Sequence, residues 1–136
     1  MAVATAYDMP LADGSVDTVY NVFSPLAKDE VRRALKSGGH FIMAYPGPEH
    51  LYGLKSLIYK TPYKNVPEAT EIAGFRLVSH ETLRYEITLD TPEAVSSLFM
   101  MTPYAYRTPK EDRERVLSLS TVTTEIEFII DVYEKI

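Results

Sequence analysis

Apolar residues along the chain fall into short runs whose spacing alternates between that of strands and that of helices. Asp13-Gly14 reads as a turn. The run Val16-Asp17-Thr18-Val19-Tyr20-Asn21-Val22-Phe23 that follows is rich in β-branched and aromatic residues, which suits a buried strand. Ser24-Pro25 is a preferred helix start, so the pattern predicts a helix over about Pro25 to Lys36 that buries Leu26, Val31 and Leu35. Gly38-Gly39 is expected to stop it, and His40-Phe41-Ile42-Met43-Ala44-Tyr45 forms a second strand ended by Pro46-Gly47-Pro48. Strand, helix, strand at this spacing is a parallel crossover unit.

Beyond it, Leu51, Leu54, Leu57 and Ile58 recur at helical spacing over about Glu49 to Lys60, placing Lys55 and Lys60 towards solvent. After Gly74-Phe75, Leu83, Tyr85, Ile87 and Leu89 alternate with Arg84, Glu86 and Thr88, the period of a strand with one wet face. Thr91-Pro92 caps a helix through about Met101, and Thr108-Pro109-Lys110-Glu111 has the form of a capping box for a helix over about Pro109 to Leu119. In Val122 to Tyr133 the residues Val122, Thr124, Ile126, Phe128, Ile130 and Val132 share one face, with Thr123, Glu125, Glu127 and Asp131 on the other. That alternation is typical of an antiparallel strand. The fold class expected is therefore α/β, a mixed sheet with parallel strands first and an antiparallel pair at the end.

Composition narrows the chemistry. The 136 residues include no cysteine, which removes disulfide frameworks, thiolate zinc sites, iron–sulfur clusters and cysteine nucleophiles. With 14 Lys+Arg against 19 Asp+Glu the net charge is −5, which argues against a free-standing nucleic-acid binder. No apolar run approaches the roughly 20 residues that span a bilayer, and the chain reads as a soluble, cytoplasmic protein. No repeat or flexible linker interrupts it. His40 and His80 have no acidic or histidine neighbours at metal-ligand spacing, no metal site is expected, and both read as ordinary strand residues. Met9, Met43, Met100 and Met101 read as core filler.

The succession of elements, with Met9-Pro10-Leu11-Ala12-Asp13-Gly14-Ser15-Val16-Asp17 and Leu35-Lys36-Ser37-Gly38-Gly39-His40, resembles the second half of a class I S-adenosylmethionine-dependent methyltransferase. Two further stretches, Pro46-Gly47-Pro48-Glu49-His50-Leu51 with Leu54-Lys55-Ser56-Leu57-Ile58-Tyr59, and Met101-Thr102-Pro103-Tyr104-Ala105-Tyr106-Arg107, are similar to the bacterial 23S ribosomal RNA guanine-N1 methyltransferases. The resemblance implies a partial Rossmann-like fold in which residues 1–136 are the C-terminal portion of a catalytic domain. The family's N-terminal zinc module and its glycine-rich cofactor turn have no counterpart in this sequence. It further implies S-adenosylmethionine as cofactor and ribosomal RNA as partner of the full-length parent, with this portion inactive by itself and binding the cofactor weakly or not at all.

The same resemblance places His50 at the cofactor pocket, although it also suits a residue covering the start of the following helix. Asn21 and Phe23 stand at the end of a buried strand, where such enzymes orient the target base. Asn can bond a base edge and Phe can stack, while Phe23 in the core and Ser24 as a helix cap is the plainer alternative. Tyr104, Tyr106 and Arg107 suit an aromatic and cationic wall for an RNA base, and equally suit packing between two helices. Lys55, Lys60 and Lys64 with Tyr52, Tyr59 and Tyr63 read as a solvated helix face with aromatics covering the core. No residue stands out as a general base, and the catalytic residues stay unassigned. The Val16–Phe23 strand has an edge that the complete fold would pair. A homodimer or higher oligomer through that edge or the adjacent apolar face, and a non-catalytic assembly role, is the alternative expectation.

Overall fold

A computed structural model describes residues 1–66 and 71–136. The elements in chain order are β1 (Val16–Val22), α1 (Lys28–Ala34), β2 (Leu35–Pro46), α2 (Tyr52–Ile58), β3 (Phe75–Leu89), α3 (Pro92–Met100), α4 (Tyr104–Arg107), α5 (Lys110–Leu117) and β4 (Val122–Lys135). The four strands form one mixed sheet in the order β1-β2-β4-β3. β1 runs parallel to β2, with Thr18 opposite His40 and Val22 opposite Ala44, which is the crossover the sequence predicts. β4 is antiparallel to β2, with His40 opposite Glu134 and Pro46 opposite Phe128. The chain divides into two compact units, one of Met1–Gly47, Pro67–Leu83 and Phe128–Ile136, the other of Pro48–Val66 and Arg84–Glu127.

The first unit is built around Val31, Leu35, Phe41, Met43, Ile72, Phe75 and Tyr133. Phe41 stacks on Tyr133 with ring centres 6.1 Å apart and meets Phe75 at 6.0 Å, within the range of favourable aromatic pairs. α1 is shorter than its apolar spacing suggests and begins after Ala27 with no side-chain cap, so Ser24 does not cap it. Asn21 Nδ2 donates to Pro25 O at 3.0 Å and ties the segment after β1 back to the strand before a helical turn can form. Acidic Asp29 and Glu30 in the first turn and basic Arg32 and Arg33 in the last complement the helix dipole. Arg33 also donates to Glu30, Asp13, Leu11 O and Met9 O, fastening the N-terminal segment to α1.

The glycine pair does not end the helix. α1 stops at Ala34, Leu35 is already extended, and both glycines lie within β2. Gly38 has a left-handed backbone (φ 74), and a Cβ on Gly39 would meet Lys36 O at 2.9 Å and Asp17 O at 3.0 Å. These residues absorb the register shift between Val16 and Thr18.

In the second unit, α3 begins as expected, with Thr91 Oγ1 accepting from Ala94 N at 3.2 Å. The capping box at Thr108 does not form. The Thr108 hydroxyl donates backwards to Tyr104 O at 2.6 Å, closing α4, and α5 starts at Lys110 uncapped. Leu57 is exposed, while Lys55, expected in solvent, is fully buried with Leu54 and Ile58. β3 is longer than its clean alternation, begins at Phe75, and is exposed on both faces over most of its length. β4 keeps the predicted alternation only at first. Val122, Thr124 and Ile126 are buried, Glu127 is buried directly after Ile126, and from there Ile129, Asp131 and Tyr133 face inward. The phase slips by one residue, which carries Asp131 from the expected wet face to full burial.

Candidate functional site

In the first unit the predicted site residues lie at the carboxyl end of β1, and α/β sheets bind ligands at the carboxyl ends of their strands. Asn21 is buried in β1, its amide nitrogen committed to Pro25 O, so its carbonyl oxygen is the group left to accept. Phe23 follows with φ 49, a backbone that costs a bulky L-residue about 1–2 kcal/mol. Its N–H donates to Ala44 O at 2.9 Å and its ring, 52% exposed, stands edge-on against Phe128 with centres 5.4 Å apart. Phe23 is therefore an exposed aromatic face held in a fixed, strained pose, not a core residue.

The second unit holds His50. The segment around it is fastened to β4 by its own backbone. Glu49 N–H donates to Glu127 Oε1 at 3.1 Å, and Leu51 N–H to Glu125 O at 2.8 Å. Gly53 N–H donates to Glu125 Oε2 at 2.8 Å, and Leu54 N–H to Thr124 Oγ1 at 3.1 Å. Side chains of β4 thus satisfy amides at the start of α2 that a local cap would otherwise serve. Gly53 lies so close that a Cβ there would stand 2.6 Å from Thr123 O. His50 Nδ1 accepts the Glu127 N–H at 3.2 Å, which puts the ring proton on Nε2 and makes the side chain a neutral donor. Burial, reinforced by the Lys55 charge and opposed by Glu127, pushes its pKa below the ordinary histidine value.

Leu51, next to His50, has φ 56. Among the described residues it and Phe23 are the two non-glycine positions with a left-handed backbone. Strain of this kind collects at binding and catalytic sites, and here it falls at Phe23 and beside His50, two of the three places singled out from the sequence.

Tyr104, Tyr106 and Arg107 do not form one wall. All three lie in α4, but Tyr104 is 8% exposed against 81% for Tyr106, and Arg107 is exposed with it. Tyr104 packs edge-on against Tyr59 with ring centres 6.0 Å apart, and burial, followed by the Tyr63 charge, raises its pKa.

Beside them stands the residue that apolar spacing misplaced. Lys55 Nζ donates to Asn65 Oδ1 at 2.8 Å and to Tyr63 O at 3.3 Å. It lies 4.3 Å from the centre of the Tyr63 ring and 5.7 Å from that of Tyr104. No carboxylate pairs with it among the described residues, and burial pushes its pKa below the usual lysine range. Tyr59 and Tyr63, interleaved with the lysines, are the sequence signal for this cage, because a buried ammonium is tolerated on aromatic faces.

His80 is likewise no ordinary strand residue. Its Nδ1 lies 2.6 Å from the buried Asp131, which also accepts from Tyr45 OH at 2.8 Å and Tyr133 OH at 3.3 Å. Burial and the Asp131 carboxylate push the Tyr133 phenol up to about 12. Among the described residues no three potential ligands gather for a metal, and no helix is long and apolar enough to cross a membrane.

The chain is 31% identical to the 23S rRNA (guanine(748)-N(1))-methyltransferase of Streptomyces fradiae over 95% of its own length and 49% of that protein's. It is a homologue of the 23S rRNA guanine-N1-methyltransferases. A candidate 23S rRNA (guanine-N(1))-methyltransferase of Micromonospora griseorubida matches these residues too, at 33% identity over 85% of this chain and 41% of that protein. The chain spans about half the length of these methyltransferase relatives. No family model matches it.

Among solved structures, a candidate methyltransferase from Bacillus halodurans C-125 superposes with a TM-score of 0.55 at 16% identity, covering 97% of this chain and 69% of that one. The cyclase SpnF does so with a TM-score of 0.51 at 14% identity, covering 98% and 54%. The mixed Rossmann-like α/β fold expected from the sequence is the fold these proteins share.

Proposed function

We propose that the protein to which these residues belong transfers a methyl group from S-adenosylmethionine to N1 of a guanine in large-subunit ribosomal RNA. The observation that carries this reading is the similarity, over 95% of the chain, to a relative named for that reaction. The strained backbones at Phe23 and beside His50 support the choice of residues.

S-adenosylmethionine, when bound, supplies an electrophilic methyl group on its sulfonium. The side chains present fit part of that ligand. A neutral imidazole with its proton on Nε2 suits a ribose hydroxyl or carboxylate oxygen, and His50 has that form. The target base is read in the first unit. Guanine presents donors at N1 and at its exocyclic amino group, and the Asn21 carbonyl is an acceptor for them. The exposed Phe23 ring offers the base a stacking face. Methylation forms an N–C bond at N1 while the S–CH3 bond of the sulfonium breaks to leave a thioether, and the N1 proton passes to water, so alignment of the base is the main contribution asked of these residues. Tyr106 and Arg107, exposed on α4, suit stacking and phosphate contact with flanking RNA. Tyr104 supports them from the interior. The 136 residues, about half the length of the relatives, bind cofactor weakly and do not turn over by themselves in this reading.

Titration calorimetry of the chain with S-adenosylmethionine tests the cofactor assignment. Weak binding that disappears in His50→Ala while the fold is kept is the expected result. The absence of any heat in the parent chain refutes His50 as a cofactor residue.

A second reading, self-assembly without catalysis, is favoured by the sheet edges. β1 is an outer strand and exposes Tyr20 and Val22 beside Phe23, and β3 is the other outer strand.

A further inference from the structure

β3 is the more unusual of the two edges. At 15 residues it exceeds the common strand length of about 3–10, and β4 is its neighbour on one side only. Its exposed side chains include Leu77, Val78, Leu83 and Tyr85 as well as charged Arg76, Glu81, Arg84 and Glu86. Edge strands are normally blunted by proline, bulges, shortness or charged side chains, and Phe75–Leu89 contains no proline or glycine and, of these devices, carries charges.

The charges are arranged so that the strand complements itself. Two copies of one strand paired antiparallel about a two-fold axis normal to the sheet place one residue opposite its own counterpart, and that residue defines the register. With Tyr85 on the axis, Arg84 faces Glu86 of the other copy and Glu86 faces its Arg84. In the same register Leu83 meets Ile87 and Thr82 meets Thr88. Axes at Glu81, Arg84 or Glu86 set like charges directly opposite one another, which destabilises a strand pair. Arg84 lies 3.7 Å from Glu127, a long contact that leaves guanidinium donors for a second carboxylate. β1 offers no such pattern, since Asp17 is its one charged residue.

We propose that β3 pairs antiparallel with β3 of a second copy of this chain, Tyr85 lying on the two-fold axis and Arg84 facing Glu86. The proposal rests on the self-assembly reading and names its edge and register.

Light scattering on the wild-type chain and charge variants tests it, with circular dichroism verifying that each variant is folded. The wild type is expected to be a dimer. Arg84→Glu and Glu86→Arg each set like charges opposite one another twice per dimer and weaken association about tenfold or more. The double variant Arg84→Glu/Glu86→Arg restores it. An equimolar mixture of the two single variants forms a heterodimer, because every facing pair is then opposite in sign. Since the chain has no cysteine, Tyr85→Cys places one thiol at the axis and gives a cross-linked dimer on oxidation. A monomeric wild type overturns both the proposal and the assembly reading. An oligomer unmoved by either single variant overturns β3 as the edge and leaves assembly standing. A mixture that stays monomeric while the double variant dimerises overturns the Arg84–Glu86 register.

Discussion

Replacing Lys55 tests the least expected feature of the second unit, a fully buried ammonium with aromatic rings and two oxygens around it and, among the described residues, no carboxylate. Lys55→Met keeps most of the stem's volume and removes the charge. Its cost is the two acceptors left behind, Asn65 Oδ1 and Tyr63 O, each about 1–3 kcal/mol if unsatisfied and less for the longer contact to Tyr63. Its gain is relief from holding a charge out of water, several kcal/mol for an unpaired ion. These terms oppose each other, and the net change is expected within about 1 kcal/mol of wild type. Lys55→Ala relieves the charge equally but opens a cavity beside the Tyr63 and Tyr104 rings, and should be less stable than Lys55→Met by about 2–4 kcal/mol. Urea unfolding followed by circular dichroism measures both.

The pH dependence gives an independent arm. Burial lowers the Lys55 pKa in the folded state, so as pH rises the folded chain releases this proton before the unfolded chain does, and wild-type stability climbs towards the ordinary lysine value of about 10.4. The difference between wild type and Lys55→Met should narrow or shift in favour of wild type from pH 7 to about pH 9.5, below the ordinary tyrosine value. Equal stability of the Ala and Met variants, or a pH-independent gap, refutes the burial of the Lys55 ammonium.

Asp131→Ala removes the buried carboxylate that accepts from Tyr45 OH and Tyr133 OH and meets His80 Nδ1, and is expected to cost about 3 kcal/mol in chemical unfolding; a loss below about 0.5 kcal/mol contradicts a structural role for that carboxylate. Gly53→Ala drives a methyl group into Thr123 O and should destabilise the chain by about 1–3 kcal/mol, read as a lower thermal midpoint. Glu30, hydrogen-bonded by Arg33, titrates at about 2, well below an ordinary carboxylate. Its stabilising contribution is present above the unfolded value of about 4.3 and is lost as pH falls towards 2, so Glu30→Gln should flatten acid unfolding in that window.

Much of the architecture was legible because local rules and tertiary packing agree over it. The crossover from β1 to β2 follows from two apolar runs separated by a charged amphipathic stretch, and Thr91-Pro92 caps α3 as its chemistry dictates. The failures share a cause, which is that a partner distant in sequence outcompeted a local signal. Thr108 is a good N-cap in isolation, yet Tyr104 O needs a donor at the end of α4 and lies closer. Lys55, at i+1 from Leu54, is left out of the apolar stripe drawn through Leu51, Leu54, Leu57 and Ile58, and its charge assigns it to water. Tyr63, Asn65 and Tyr104, between 8 and 49 positions along the chain, supply the cage that buries it.

The site residues show the same division. His50 and Phe23 are proposed from motif and from their places after a strand, but the feature that sets these positions apart, a left-handed backbone at Phe23 and at Leu51, leaves no mark in composition because neither residue is glycine. Phenylalanine and leucine hold that conformation only where the surroundings over-determine it. At Leu51 the determinant is visible: its N–H is bound by Glu125 O, and Glu49, Gly53 and Leu54 on either side are bound by β4. At Phe23 it is the bond to Ala44 O together with the Phe128 ring. Strand β4 therefore does more than close the sheet. Its residues Thr124, Glu125 and Glu127 set the pose of the His50 turn and Phe128 that of the Phe23 ring. The strand the sequence marks as a plain antiparallel partner fixes the geometry at His50 and at Phe23, the proposed cofactor and base positions.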